Sequence, residues 1–161
     1  ENYRKLVGRD DRVHYYTHFG SSDPDDILNA VRFLAGACKC KYIFLDHITM
    51  VVTGLAGDDE RRSLDYISTQ LAMMCESLDF ALFCISHVND QGQTRGSRNI
   101  SKVADLVIDL HRDKTAVDPV ERNTTHLTIE KNRFVGRTGP CADLVFDPAT
   151  FTIAEPLELP G

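Results

Sequence analysis

The sequence lacks any apolar run long enough to cross a lipid bilayer, which takes about 20 consecutive apolar residues. We therefore predict no membrane partner. Basic residues are also in the minority, because 18 Lys and Arg residues oppose 24 Asp and Glu residues, for a formal charge of −6. This balance excludes a general attraction to nucleic acid or to an anionic membrane surface. Contact with DNA would need a local basic loop on an acidic body.

The five cysteines lack the spacing of a metal site or of a disulfide framework. Cys38 and Cys40 are separated by one residue instead of the usual two, and no second pair follows them. The total number of cysteines is odd, and Cys75 and Cys84 lie in apolar surroundings. These features predict reduced thiols in an intracellular protein.

The remaining composition is typical of one globular domain with a sizeable core, since 42% of the 161 residues are hydrophobic and 26% are charged. Apolar runs rich in β-branched and aromatic residues alternate with segments of helical periodicity. The pattern predicts strands over 13–19, 41–52, 81–88 and 105–113, helices over 24–37 and 59–78, a helical turn over 100–104, and antiparallel strands within 125–156.

Alternating strands and helices, with strands that are continuously apolar, predict an α/β fold with a mostly parallel sheet buried on both faces. In such sheets, ligands bind outside the carboxyl ends of the strands. Three predicted strands end in polar residues: Asp46 with His47, Ser86 with His87, and Arg112. We expect these residues to line one edge of the sheet.

Asp46 and His87 are the first candidates for chemistry at that edge. A carboxylate that ends a hydrophobic strand can hold Mg²⁺, usually through water, beside a nucleotide. The alternative for Asp46 is a cap of the next turn. His87 is suited to hydrogen bonding with a phosphate oxygen, and its alternative is ordinary hydrogen bonding in a loop.

Two groups of cations are further candidates. The loop over 89–99 carries Arg95, Gly96, Ser97 and Arg98, a composition that can grip the phosphates of a ligand or of a nucleic-acid backbone. The segment 130–134 carries Lys131 and Arg133, which share a face if the strand continues through both. The alternatives are a solvated turn and an exposed row of surface charges.

Taken in order, the segments YIFLDHITMVV, DDERR, FCISHVND, TRGSRNISKVADLVIDLHRD and IEKNRFVGRTG resemble successive motifs of the RecA-type hexameric replicative helicases. The similarity points to the bacteriophage primase–helicase and Twinkle branch of the DnaB-like group, and it extends over about 13–156. It implies a RecA-like P-loop NTPase core with an antiparallel C-terminal edge. We accordingly predict one domain over 1–156 and a tail over 157–161.

The resemblance implies a role for each matched position. Asp46 corresponds to the Walker B aspartate that organises Mg²⁺ and the attacking water. His87 corresponds to the switch residue that senses the γ-phosphate. Arg133 corresponds to the arginine finger that reaches ATP, or another NTP, bound by the adjacent subunit, and Lys131 to its usual companion.

Further positions match the family's base and DNA contacts. Arg112 and Phe146 lie where the family sandwiches the nucleotide base, with Phe in place of the more usual Tyr; stacking needs only the ring face. The segment 89–101 corresponds to the central-channel loop that holds single-stranded DNA, and Arg95, Gly96 and Ser97 match its R-G-S element, followed by Arg98.

One departure from the family pattern is large. The phosphate-binding G-x-x-x-x-G-K-[ST] loop is absent from the sequence, as is the catalytic glutamate of the family. We therefore expect the chain to be the C-terminal portion of a helicase ATPase domain, inactive without its P-loop half. The parent would be a hexameric ring in the cytoplasm of a bacterial host, encoded by a phage or phage-derived gene.

Two alternatives remain open from sequence. One is a RecA/RadA-like recombinase core, which needs a different channel loop and a filament-forming segment that the sequence does not display. The other is a non-catalytic assembly module whose ATPase residues are vestigial. The missing P-loop favours the module, whereas the presence of Asp46, His87, Lys131 and Arg133 favours the helicase.

Overall fold

The computed structural model describes residues 13–17, 23–52, 58–87 and 99–156. The chain divides into two compact units, Glu1–Val103 and Ala104–Gly161, and each is described by itself. The first unit contains helix α1 (Pro24–Gly36), strand β1 (Tyr42–Leu45), a 3₁₀ helix (Ile48–Val52), helix α2 (Asp58–Leu78), strand β2 (Ala81–Cys84) and the short helix α3 (Asn99–Val103). The second contains β3 (Leu106–His111), α4 (Pro119–Asn123), β4 (Thr124–Asn132), β5 (Gly139–Asp147) and β6 (Thr152–Ala154).

Helix α1 begins where its sequence predicts. The Asp23 carboxylate accepts a hydrogen bond from the backbone N–H of Asp25 at 3.0 Å, and Pro24 occupies the first turn. Asp25 and Asp26 place negative charge at the positive end of the helix dipole. The predicted helices over 24–37 and 59–78 and the helical turn over 100–104 are confirmed within one or two residues.

The core of the first unit forms between the two long helices, β1 and the 3₁₀ helix. Helical spacing brings one stripe of each helix inward, as predicted. The buried apolar residues are Ile27, Leu28, Val31, Ala35, Ile43, Ile48, Val52, Leu64, Ile67, Leu71, Met74 and Phe80.

Strands β1 and β2 pair in parallel, as predicted, but they are not buried on both faces. Ile43 packs into the core, whereas the alternate residues Tyr42 and Phe44 are each 70% exposed. The Phe44 ring stacks on the ring of Phe83, with centroids 4.7 Å apart. The prediction of two buried faces is wrong for these residues because the described helices cover the face that carries Ile43.

Two predicted strand segments differ in the structure. Residues 13–17 form no strand. The segment ITMVV, predicted to continue β1, is a 3₁₀ helix instead. Its helical spacing brings both Ile48 and Val52 into the core, at 1% and 2% exposure, so tertiary packing overrides the β-propensity of this sequence.

The second unit is an antiparallel sheet of four strands in the order β3-β4-β5-β6. The antiparallel strands predicted within 125–156 are therefore confirmed. Helix α4 was not predicted, although Asp118 caps it by accepting from Val120 N–H at 3.0 Å and Pro119 occupies its first turn. In the part of the chain that the structure describes, no helix is both long and apolar enough to span a bilayer.

Leu64 provides a test of the core. It is fully buried in α2, whereas Met73 in the same helix is 58% exposed. We expect Leu64→Ala to lower the free energy of unfolding by about 2–5 kcal/mol through lost burial and a residual cavity. Met73→Ala is the matched control, with an expected change within about 0.5 kcal/mol. Urea denaturation of both variants measures the difference, and equal losses would contradict this assignment of the core.

Candidate functional site

The parallel pairing of β1 and β2 brings Asp46 and His87 to the same end of the two strands. Leu45 is in register with Cys84, so Asp46 follows β1 where Ile85, Ser86 and His87 follow β2. Two backbone hydrogen bonds continue the connection beyond the strands, from Ile85 N to Leu45 O at 2.9 Å and from Ile48 N to Ile85 O at 3.0 Å. The structure therefore places these two predicted site residues at the same end of the strand pair.

The Asp46 carboxylate is exposed, and within the described ranges no side chain or backbone group binds it. The Ser86 hydroxyl beside it is buried, and it has no hydrogen-bond partner among the described residues. An exposed carboxylate at the end of a strand fits a hydrated Mg²⁺, which keeps several waters and takes few protein ligands. Among the described residues no group of three or more His, Cys, Asp or Glu forms a metal cluster, so Asp46 would hold the ion together with water and phosphate oxygens.

A second histidine adjoins His87. The rings of His47 and His87 meet edge to face, with centroids 4.4 Å apart and an interplanar angle of 78°. His47 Nδ1 lies 2.6 Å from the Thr49 hydroxyl, which fixes the orientation of the ring. The sequence placed His47 at this edge but gave it no role, because the contact with His87 depends on the register of the two strands.

Asp46 and His47 also line one end of a cleft of about 760 Å³ in the first unit. Its other walls are residues 13–17, α1 and β1. Tyr15, Tyr42 and Phe44 contribute to these walls. The carboxylate and the imidazole are thus accessible from an open space bordered by aromatic side chains.

The four predicted DNA contacts, Arg95, Gly96, Ser97 and Arg98, lie outside the described residues. The residue that follows them is described. The Asn99 amide nitrogen lies 3.1 Å from the Asp65 carbonyl and 3.1 Å from the Ser68 hydroxyl, both in α2. This contact anchors the C-terminal end of the predicted loop to the core helix of the first unit.

Arg133 lies in the turn after β4, in the second unit. Its backbone N–H donates to the Asp105 carbonyl at 2.9 Å, and its guanidinium forms an ion pair with the Asp105 carboxylate at 3.1 Å. The side chain remains 53% exposed. The turn is shaped by Asn132, whose side chain accepts from Phe134 N, and by Gly136, whose φ of 69° is favoured by glycine.

Lys131 is the last-but-one residue of β4 and is partly buried. Burial lowers its pKa, and the positive charge of Arg133 lowers the pKa further. The two cations are thus close enough to influence each other, as their proposed partnership requires. Because β4 ends at Asn132, strand alternation does not by itself give Lys131 and Arg133 a common face.

The structure brings Arg112 and Phe146 together in the second unit. The Arg112 guanidinium carbon lies 6.0 Å from the centroid of the Phe146 ring, at the limit of a cation–π contact. Arg112 Nε donates to the carbonyl of Arg122 at 2.7 Å, and Nη2 donates to the Asn123 side chain at 2.9 Å. A guanidinium and an aromatic ring held in this way are suited to stacking with a flat ligand.

A charged cluster near this pair was not predicted from the sequence. His126 in β4 is bound on both ring nitrogens, by Asp143 and by Glu121. Hydrogen bonds to Glu121, and then to Asp143, raise the pKa of His126 above its ordinary value. No sequence motif indicates this cluster, because its members come from a helix and two strands.

Among proteins of known function, the chain is similar to a DNA helicase/primase of Enterobacteria phage T3, with 29% identity over 153 residues. The match covers 86% of this chain and 26% of the phage protein, so the chain spans about a quarter of that relative's length. No protein-family model matches the chain.

Among solved structures, the chain is similar to a KaiC-like protein from the hyperthermophilic archaeon Pyrococcus horikoshii OT3, with a TM-score of 0.60 and 15% sequence identity. The match covers 83% of this chain and 56% of the archaeal one. At this identity the likeness shows the fold alone, and it confirms the predicted RecA-like α/β fold. The resemblance to the DnaB-like helicase/primase group that the motifs indicate is confirmed by the similarity to the phage protein.

Proposed function

We propose that this chain is the part of an ATP-dependent DNA helicase that contains the Walker B aspartate, the switch histidine and the arginine finger. The observation that carries the proposal is that Asp46 and His87 follow two paired parallel strands at the same end of the pair. The similarity to the phage T3 helicase/primase over most of the chain supports it.

Asp46 would bind Mg²⁺ through water, and the ion would neutralise charge that develops on the β- and γ-phosphates during hydrolysis. Its exposure and its position after β1 support this role. His87, exposed after β2, would donate to a γ-phosphate oxygen and respond when that phosphate leaves. The His47 ring against it restricts the orientations that the His87 ring can adopt.

His87 directly precedes the segment that would contact single-stranded DNA. Loss of the γ-phosphate would move His87 and, with it, the loop that carries Arg95 and Arg98. The other end of the loop is anchored at Asn99, so a movement at His87 would change the loop's shape between two attached ends. Contacts to the DNA backbone suffice for translocation, so sequence preference would be slight.

Arg133 would act on ATP bound by an adjacent subunit of a homohexamer. Its side chain is half exposed and pairs with Asp105 at the surface. Surface ion pairs contribute only about 0–1 kcal/mol, so exchanging the Asp105 carboxylate for a triphosphate costs little. Arg112 and Phe146 would bind the base of the nucleotide, and Lys131 would accompany Arg133 as a second cation. The protein would work in the cytoplasm of a phage-infected bacterium.

The sequence contains no G-x-x-x-x-G-K-[ST] segment. We therefore expect the 161-residue chain alone to show no ATP turnover, because the backbone amides and the lysine of such a loop are the main phosphate ligands. A phosphate-release assay with Mg·ATP and single-stranded DNA tests this. Turnover comparable to that of a P-loop helicase would refute the proposal, because it would show that these residues hydrolyse ATP without a P-loop.

The role of Arg133 is tested in a polypeptide in which a P-loop segment precedes these residues. We expect Arg133→Ala to leave ATP binding intact and to reduce DNA-stimulated hydrolysis by about 10³–10⁵, the usual contribution of an arginine finger. Arg137→Ala removes an exposed cation from the same turn region and is the matched control. Undiminished hydrolysis in the Arg133 variant would remove this residue from the site.

The DNA loop is tested by the salt dependence of binding to a single-stranded oligonucleotide, in that same polypeptide. If Arg95 and Arg98 each contact a phosphate, the substitution of either by Ala should reduce the slope of log K against log salt by about 0.7. Lys114→Ala, an exposed cation of the second unit, should leave the slope unchanged. Slopes that are equal in all four proteins would exclude the loop as the DNA contact.

A further inference from the structure

His126 lies between two carboxylates in the second unit. Its Nδ1 is 2.8 Å from Asp143 Oδ1 in β5, and its Nε2 is 3.0 Å from Glu121 Oε1 in α4. Ionised carboxylates only accept hydrogen bonds, so both ring nitrogens must donate, and the ring must hold both protons. The contacts therefore favour an imidazolium that links α4 to the sheet.

Helix α4 also holds Arg112. The carbonyl of Arg122 and the side chain of Asn123 accept hydrogen bonds from the Arg112 guanidinium, at 2.7 and 2.9 Å. These two residues follow Glu121 directly in the helix. One short helix thus connects the His126 cluster to the guanidinium that lies over Phe146.

The two contacts of α4 lie on opposite faces of the sheet. His126 is in register with Asp143, so both side chains leave the same face. Asp143 and Phe146 are three positions apart in β5, and alternation sends their side chains to opposite faces. Helix α4 therefore crosses the end of the sheet, fixed by His126 on one face and holding Arg112 on the other.

The helix has few other means of attachment. It has five residues and none of them is buried, and Val120 is 64% exposed. A helix this short is unstable by itself and depends on tertiary contacts. Its other attachments are the capping residue Asp118, the bond from the Thr124 hydroxyl to the Val120 carbonyl at 2.8 Å, and contacts with β5.

We propose that His126 is a positioning residue for nucleotide binding: by holding Glu121, it fixes α4, and α4 fixes the Arg112 guanidinium over the Phe146 ring. This inference rests on the proposed function, because it takes the Arg112–Phe146 pair as the contact for the base. His126 itself does not touch the nucleotide, and its effect passes through the hydrogen bonds that Arg122 and Asn123 make to Arg112.

The linkage makes the position of Arg112 dependent on pH. The groups that face His126 are Glu121 from α4, Asp143 from β5 and His111, its register partner in β3. The pKa of His126 is raised in the folded state, mainly by the hydrogen bond to Glu121. The contribution of the cluster to stability is therefore fully present below the unfolded pKa and is lost as pH rises through the folded pKa, above about 6.5.

NMR of the full 161-residue chain tests the inference through the Nε–H signal of Arg112. In the unsubstituted chain, we expect the chemical shift of this signal to follow the titration of His126. In His126→Gln the shift should no longer follow a titration above pH 6.5, and the solvent exchange of the Nε–H should rise about tenfold as its hydrogen bond to Arg122 weakens. Glu121→Ala should give the same faster exchange, because it removes the acceptor that holds α4 while leaving His126 in β4.

His111→Gln is the matched control, because it removes the neighbouring histidine of the same face and leaves Glu121, His126 and Asp143 in place. It should preserve the titration of the Arg112 signal. In all three variants the signals of Ile129, which pairs with Ile108 and Gly139 in the sheet of the second unit, report that this unit is folded. An Arg112 signal that neither titrates with His126 nor changes in His126→Gln would overturn the inference.

Titration with ATP separates this inference from the proposed function. We expect ATP to shift the Phe146 ring and Arg112 signals of the unsubstituted chain, and the affinity to fall about two- to fivefold in His126→Gln, the range of an exposed cation–π contact. If ATP shifts neither signal in any protein while His126→Gln still releases Arg112, the base site is refuted and the link through α4 stands. If ATP binds equally well to both proteins and Arg112 is unchanged, the link is refuted and the base site stands.

Discussion

The parallel register of β1 and β2 is the constraint on which the candidate site depends. Leu45 faces Cys84 across the pair, and this single alignment decides that Asp46 and His87 end at the same edge. A shift of one residue would turn every side chain of one strand to the other face and would separate the two groups. The register is itself held by the core, since Ile43 must point toward the helices while Phe44 and Phe83 stack on the opposite face.

Much of the fold was predictable from sequence because its signals are local. The capping residue Asp23, Pro24 and the apolar stripe of α1 lie within one segment, and so does the stripe from Leu64 to Met74 in α2. The segment ITMVV was misjudged because its β-branched composition is local, whereas the burial of Ile48 and Val52 is a property of the surrounding core. Helix α4 was missed although Asp118 and Pro119 signal its start, since five residues give no periodicity to recognise.

The candidate site was predictable to the extent that topology determines it. Strand-end positions indicated Asp46 and His87, and the resemblance paired Arg112 with Phe146, which the structure places 6.0 Å apart. The contact of His47 with His87 and the contacts of His126 with two carboxylates could not be predicted from the sequence. They join residues from separate elements, and their distances follow from register and from the path of the chain between strands. The role of Arg133 also depends on a neighbouring subunit, and its own chain supplies only the exposed guanidinium and the ion pair to Asp105.

The aromatic face formed by Tyr42, Phe44 and Phe83 has a calorimetric consequence. The heat capacity of unfolding rises with the apolar area that passes from the folded interior into water, at about 12–15 cal/mol/K per residue for ordinary domains. These three rings are already 49–70% hydrated in the folded chain, so their transfer adds little to that quantity. A scanning calorimeter should therefore record a smaller heat capacity of unfolding, and so a flatter stability curve, than the length of this chain alone implies.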